Sequence, residues 1–189
     1  APAADEVEFR FKLDTDLYAL AKAKTKALSM EVSHDGEQFS TLGPDRKVRV
    51  FRFATGKLRC VIDETLESAN DVQRAGAAAY KLEDIDFGRR LAVDREMGNN
   101  PDLEVGFPNA IFDESGNFLL YSTLLGVKVI NLVTSRCARI IGKVENTERF
   151  MRLAMFQGVP QKDKRSRGSG KDTTQTVEKD PTLVCSAFH

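Results

Sequence analysis

The chain lacks an excess of charge of either sign, and it lacks a long apolar run. Its 28 lysines and arginines balance 28 aspartates and glutamates over 189 residues, so any nucleic acid or anionic membrane would have to meet a local patch. The apolar runs are interrupted by polar residues and are too short to span a bilayer, so we expect no membrane partner. The first residues, APAADEVEF, lack the basic-then-apolar layout of a secretory signal.

Cysteine and histidine are scarce. Cys60, Cys137 and Cys185 are widely spaced in apolar, strand-like runs, and they show no metal or redox spacing. This predicts reduced, buried thiols in an intracellular protein. His34 falls in a turn and His189 is the last residue of the sequence, and no cysteine lies near either of them. We therefore expect no catalytic residue, no cofactor and no metal.

Two stretches of alternating apolar and polar residues, 28–63 and 107–142, predict antiparallel strands joined by tight turns. Gly36 and Gly116 lie in the first turn of each stretch and supply the positive φ that a tight hairpin favours. Each stretch is therefore a predicted four-stranded meander. The same alternation predicts a strand over Val7–Leu13 and partial strands over residues 150–158 and 181–188.

The two meanders are separated by a segment of different composition. Residues 64–100 are rich in alanine, leucine, glutamate and arginine and contain no proline, which predicts one or two inserted helices. Residues 159–180 are polar and of low complexity, so we expect a disordered loop.

The meanders align with each other at a nearly constant offset. Gly36 and Gly116 are 80 positions apart, and Phe51 and Ile130 are 79 apart. Without the insertion the period is about 40 residues, which is the period of WD40 β-propeller blades. The chain has no tryptophan, so Phe51 and Ile130 stand where that repeat has its Trp, while Asp45 fits the structural aspartate of the blade. The alternative is two unrelated hairpins in a sandwich.

The fold class predicted from this period is all-β, a WD40-type β-propeller segment of about two blades plus partial strands, with an inserted α-helical segment. Strand VRVFRF supports it. Its side chains alternate, yet Phe51 shares a face with Arg49 rather than with Val48 and Val50. This predicts that neighbouring blades cover both faces of the strand, with basic stems lying over apolar surface.

Several stretches resemble one family. SHDGEQFSTLGPDRKVRVFRFATGKL, FGRRLAVDRE, IFDESGNFLLYSTLLGVKVIN and DPTLVC resemble the C-terminal part of the WD-repeat region of the WD-repeat cyclophilins. This family consists of nuclear, spliceosome-associated peptidyl-prolyl cis-trans isomerases. The resemblance implies a nuclear protein-interaction scaffold with spliceosomal protein partners, active in pre-mRNA splicing. It also implies a catalytic domain C-terminal to residue 189, so we expect this chain by itself not to be an enzyme.

The insertion motif FGRRLAVDRE carries the candidate partner-docking residues. These residues are Asp86, Arg89, Arg90, Asp94 and Arg95. Acids and bases at i,i+4 spacing, such as Arg90 and Asp94, form a solvated, stabilising helix face. The functional alternative is a helix that docks a protein partner.

A basic cluster in the 159–180 loop offers a second function. It contains Lys162, Lys164, Arg165, Arg167 and Lys171. A flexible basic arm can contact RNA phosphates without reading sequence, which makes a nucleic-acid-contacting module the alternative function. No aromatic residue is interleaved for base stacking, and a solvated loop explains the same composition.

Overall fold

The computed structural model describes residue 9 and residues 11–77, 80–99, 108–145, 148–159, 179 and 181–188. Over these ranges the predicted all-β character is confirmed at the level of antiparallel sheets. The strands are β1 (Ser29–Val32), β2 (Gln38–Leu42), β3 (Lys47–Arg52), β4 (Leu58–Asp63), β5 (Ala110–Phe112), β6 (Phe118–Thr123), β7 (Gly126–Asn131), β8 (Arg136–Ile141), β9 (Arg149–Phe156) and β10 (Thr182–Phe188). The helices are α1 (Ala19–Lys22), α2 (Leu66–Ala75) and α3 (Asp84–Asn99), and Lys12–Asp14 forms a 3₁₀ turn.

Two four-stranded meanders make up most of the fold. β1–β4 pair in chain order in the first sheet, β5–β8 do so in the second, and β9 and β10 form the third. The pairing of the third strand with the fourth is interrupted by a bulge at corresponding places, opposite Val50 and Phe51 in the first sheet and opposite Val129 and Ile130 in the second, and the additional residue lies in the fourth strand. The sequence offset of 79 is therefore also an offset in structure.

The first turn of each sheet contains the same side-chain hydrogen bond made by exchanged residues. In the first sheet the Ser33 hydroxyl donates to Asp35, two positions later, at 2.5 Å. In the second sheet the Ser115 hydroxyl donates to Asp113, two positions earlier, also at 2.5 Å. The turn therefore preserves the hydrogen bond and not the order of the two residues.

Glycine closes both of these turns. Gly36 has φ 72° and Gly116 has φ 67°, in the left-handed region that glycine enters without steric cost. The N–H of Gly36 donates to Ser33 O, and that of Gly116 donates to Asp113 O.

The second turns differ. In the first sheet the Asp45 carboxylate accepts hydrogen bonds from the Arg49 guanidinium at 2.5 Å and from the Lys47 N–H at 3.4 Å. Burial acts to raise the pKa of Asp45, but the hydrogen bonds and charge of Arg49 outweigh it and lower that pKa. In the second sheet β6 and β7 are joined by Leu124 and Leu125, both buried. Asp45 therefore stabilises its own turn, whereas the leucine turn needs a cover.

The sheets stack head to tail. Val48 of β3 faces the second sheet, and its counterpart 79 positions later, Val127 of β7, faces the third. On its other face the second sheet packs Ile130 against the first sheet. Phe51 is the counterpart of Ile130 in the first sheet. It lies on the opposite side of β3 from Val50, where it is buried and stacks on the ring of Phe39. Both faces of β3 are therefore buried, the Val48 and Val50 face by the second sheet, and cover of the Phe51 face by a neighbouring blade stays a prediction.

The core between the first two sheets is aliphatic apart from one tyrosine. Each fully buried aliphatic side chain stabilises the fold by about 1.5–3 kcal/mol relative to an exposed one. The core contains Leu42, Val48, Val50, Ala110, Leu119, Tyr121, Ile130 and Leu132.

The two inserted helices lie between β4 and β5. α2 begins after Thr65, whose hydroxyl caps it by accepting a backbone N–H, and Gly76, with φ 69°, caps its C-terminal end. α3 contributes Phe87, which packs with Leu124 and Leu125 of the second sheet. The insertion thus supplies the cover that the leucine turn requires.

The predicted N-terminal strand is wrong where the structure describes it. Residues 12–14 form the 3₁₀ turn, because the Asp14 carboxylate accepts the Phe11 N–H at 2.9 Å and closes the chain on itself. The side chains of Phe11 and Leu13 are exposed. The alternation of apolar and polar residues alone therefore predicts a strand where the described residues form a turn.

The prediction of three buried thiols is also only partly correct. All three cysteines are free, and Cys60 and Cys137 are half-buried. Cys185 is exposed, because β10 pairs only with β9 in the described part of the chain and one of its faces is open.

Candidate functional site

The inner face of α3 is anchored by polar side chains. Arg90 is only 5% exposed, and its guanidinium donates to the carbonyl oxygens of Leu124 (3.1 Å), Lys143 (2.6 Å) and Glu145 (3.1 Å). Burial lowers the pKa of Arg90 below its usual value. One side chain therefore holds the turn between β6 and β7 and the segment that follows β8.

Asp94 lies one turn further along α3 and is 2% exposed. Its carboxylate pairs with Arg46, from the second turn of the first sheet, and with Nε of Arg149 at 2.9 Å. Arg149 also donates to the carbonyl oxygens of Thr123 (3.1 Å) and Phe150 (2.6 Å). A buried carboxylate shared by two guanidiniums thus connects α3 to all three sheets.

A second polar cluster lies where the chain leaves β4. The Glu64 carboxylate accepts the Tyr121 hydroxyl at 2.7 Å and receives Nζ of Lys128 on both of its oxygens at 2.7 Å. Burial, followed by the charge of Glu64, raises the pKa of Tyr121 above its usual value. Nζ of Lys128 also lies 6.0 Å from the centre of the Tyr80 ring.

A cavity of about 670 Å³ separates these two clusters. It lies between the first two sheets at the end where α2 and α3 pack. Leu66 and Val72 of α2 and Met97 of α3 contribute to its aliphatic walls, and Arg46 and Lys128 contribute charge. Its volume falls within the range of about 300–1,000 Å³ that is typical of ligand sites.

The predicted docking residues fall into two groups. Arg89 and Arg95 are exposed and Asp86 is half-buried. Arg90 and Asp94 are buried and hydrogen-bonded within the chain. Their assignment to a solvated or partner-docking face is therefore wrong, and they position the helix instead.

Sequence reasoning missed five residues of these clusters. The sequence signal concerned only the helix that these residues contact, because Phe87 and Leu91 mark the apolar side of α3. Positions 90 and 94 fall on that same side at helical spacing, so this pattern could have identified the inward face. The missed residues are Arg46, Glu64, Tyr121, Lys128 and Arg149.

Other candidates from the sequence contribute nothing to these clusters. His34 is exposed in its turn, and His189 lies outside the described residues. The basic residues 162–171 also lie outside them, so RNA contact through that loop stays a prediction. In the described part of the chain no group of three or more histidine, cysteine or acidic residues could hold a metal ion, and no helix has the length and apolarity to cross a membrane.

Comparison with known proteins finds homologues over nearly the whole chain. Peptidyl-prolyl cis-trans isomerase CYP71 of Arabidopsis thaliana is 50% identical over 188 residues, covering 97% of this chain and 30% of that protein. Peptidylprolyl isomerase domain and WD repeat-containing protein 1 of Homo sapiens is 45% identical and covers 96% and 28%. Peptidyl-prolyl cis-trans isomerase cyp15 of Rhizopus delemar is 38% identical and covers 98% and 30%. The chain thus spans less than a third of the length of these curated relatives.

No family model matches the chain. Among solved structures, the WD40 domain of SCAP from fission yeast is similar with a TM-score of 0.38 and 13% identity, covering 92% of this chain and 30% of that one.

The relatives correct one expectation. We expected this chain not to be an enzyme, with catalysis assigned to a domain beyond residue 189. Proteins 34–50% identical to it over 95% or more of its length are named peptidyl-prolyl cis-trans isomerases. This finding overturns the expectation that the chain is not an enzyme.

Proposed function

We propose that this chain is a WD40-type propeller region of a cyclophilin-type peptidyl-prolyl cis-trans isomerase, and that it works as a protein-interaction scaffold. The observation that carries the proposal is homology at 38–50% identity over nearly the whole chain to proteins named as such isomerases, one of which is also named for WD repeats. The finer parts of the proposal are correspondence to the C-terminal part of the propeller, a nuclear location and spliceosomal partners.

The head-to-tail stacking supports the propeller. In a repeat architecture each unit contacts only its neighbours, and always in the same sense. Val48 and Val127, 79 positions apart, both face the following sheet. A sandwich of two unrelated hairpins gives no reason for matched residues to face in one direction.

The exposed side of α3 supports a docking role. Arg90 and Asp94 fix the inward face, so the opposite face is held outward. That face carries Arg89, Arg95 and Ile85, and Ile85 is 69% exposed. An exposed aliphatic residue flanked by arginines suits a protein partner that offers an apolar contact with an acidic rim.

A charge-reversal experiment tests the docking role. The double variant Arg89→Glu/Arg95→Glu should reduce co-precipitation of spliceosomal proteins from nuclear extract at least tenfold. The matched control Arg52→Glu/Arg136→Glu changes two exposed arginines at the opposite end of the sheets and should leave recovery unchanged. Equal recovery with both double variants would remove α3 as the docking element.

We also propose for this protein the activity named for the relatives. Isomerisation of an X-Pro bond crosses a barrier of about 18–20 kcal/mol without a covalent intermediate. Exchange NMR on a proline-containing tetrapeptide, with the protein at catalytic concentration, should show faster cis–trans exchange than the peptide alone. Exchange at the uncatalysed rate would refute the proposed activity.

A further inference from the structure

The cavity between the first two sheets and the inserted helices has its own recognition chemistry. We propose that it binds a short acidic peptide segment, whose carboxylate pairs with Arg46 while its aliphatic side chains lie against the walls. The inference goes beyond the proposed function, because this cavity faces the sheets and the exposed side of α3 faces away from them.

In the described lining of the cavity, the cationic side chains outnumber the carboxylates by one. Lys128 is the one cation of the described lining that pairs with Glu64, with both carboxylate oxygens at 2.7 Å. Arg46 and Arg149 share the single carboxylate of Asp94. The described lining therefore holds three cationic side chains against two carboxylates.

Arg46 is the cation that can accept a further carboxylate. Its side chain is 34% exposed, whereas that of Arg149 is 13% exposed and also donates to two carbonyl oxygens. A guanidinium offers five N–H donors in a planar fork, and within the described part of the chain the guanidinium of Arg46 donates to the carboxylate and the carbonyl of Asp94. An incoming carboxylate can thus pair with Arg46 while Arg149 keeps Asp94 in place.

The walls favour a peptide over a nucleic acid. The apolar lining is aliphatic, with Leu66, Val72, Met97 and Met151 among its residues. The one aromatic ring in the described lining, that of Tyr121, is fully buried and its hydroxyl is bound to Glu64. A base has no exposed ring on which to stack, whereas leucine or valine side chains match these walls.

Fluorescence anisotropy with two matched probes tests the inference on the full chain. One probe is a labelled hexapeptide with two glutamates between leucines, and the other has glutamine at both glutamate positions. The glutamate peptide should bind at least tenfold more tightly at low salt. Arg46→Gln should abolish that difference, Arg46→Lys should retain part of it, and the exposed control Arg52→Gln should leave it unchanged.

Three results would overturn the inference. They are equal affinity for the two peptides, equal effects of Arg46→Gln and Arg52→Gln, and Arg46-dependent binding of an octauridylate in place of the peptide. Because Arg46 also pairs with Asp94, circular dichroism and a thermal melt check that the Arg46→Gln variant is folded. If it is not folded, Val72→Glu provides the second test. A negative charge in the wall should weaken the glutamate peptide more than the glutamine peptide, and equal weakening would also count against the inference.

Discussion

The first and second sheets have the same strand order and the same bulge, yet they close their second turns by different means. The first sheet uses a polar turn in which Asp45 binds Arg49. The second uses two leucines, which are buried by α2, α3 and the segments around them. One turn is stabilised by its own residues and the other by a separate element.

The difference shows how a repeated unit can become dependent on an insertion. Leu124 and Leu125 would be exposed without their cover, whereas the cover gives them an apolar site and gives the Leu124 carbonyl a buried donor in Arg90. Loss of the insertion should therefore disturb the second sheet far more than the first.

The largest effect should come from the carboxylate that connects α3 to the sheets. Asp94→Asn leaves the guanidiniums of Arg46 and Arg149 without their anion, and breaking such a buried pair should lower the free energy of unfolding by about 3 kcal/mol. Urea denaturation followed by circular dichroism measures the loss. Glu96→Gln, exposed on the same helix, is the control, and similar losses in both variants would contradict the anchoring role.

The leucine turn should show the next largest effect. Leu125→Ala removes buried aliphatic volume and should lower the free energy of unfolding by about 2.5 kcal/mol. Pro44→Ala, in the exposed turn of the first sheet, should cost less than about 0.5 kcal/mol. Comparable losses in the same denaturation measurement would mean that the two turns are not stabilised differently.

The polar turn should respond to loss of its charge. Asp45→Asn leaves the buried guanidinium of Arg49 without a carboxylate, and a hydrogen bond to a charged group contributes about 1.5–3 kcal/mol. We expect a loss of about 1.5 kcal/mol, seen as a lower urea midpoint. Glu37→Gln, exposed in the first turn, should leave the midpoint where it is, and a Asp45→Asn midpoint equal to that of the control would show that Asp45 is dispensable.

The smallest effect is the pH dependence of one ion pair that only the first of the two sheets contains. The Asp63 carboxylate lies 2.8 Å from Nζ of Lys47, and the hydrogen bond from this ammonium, followed by that from Thr65, lowers its pKa from 3.8 to about 2. Because the pKa of Asp63 is lower in the folded state than in the unfolded chain, its ionised carboxylate stabilises the fold above about pH 4. This stability is lost as the pH falls from about 4 toward 2. In the second sheet the corresponding residues are Gly126 and Gly142, which cannot titrate.

NMR titration of the Asp63 side chain measures this effect. Lys47→Met should move the pKa of Asp63 back toward 3.8, since it removes the largest cause of the shift. Lys81→Met, exposed before α3, should not move it. A Lys47→Met titration that overlays on the wild-type curve would assign the shift to Thr65 alone.

Strands and turns could be predicted from the sequence because their causes are local. Side chains alternate with period two, and Gly36 and Gly116 supply backbone angles that other residues rarely adopt. The position of Phe51 on the face opposite Val48 and Val50 also indicated that both faces of β3 are buried. The N-terminal segment failed because a single local contact, from Asp14 to the Phe11 N–H, overrode its alternation.

The polar clusters could not be predicted because their partners are remote in sequence. Arg90 and Asp94 satisfy the spacing of an exposed ion pair, and that local rule gave the wrong face of α3. Their actual partners lie 34 to 55 positions away. No sequence pattern near Arg46 or Arg149 indicates that the two side chains share one carboxylate.

α3 also has a consequence for the entropy of the unfolded chain. Its contacts close loops of 48 residues to Arg46, 34 to Leu124 and 55 to Arg149. Closing a loop costs entropy that grows only slowly with loop length, and here one rigid element closes three loops together. α3 thus acts as a non-covalent cross-link, comparable in its topology to a disulfide network, in a chain whose described cysteines are all free.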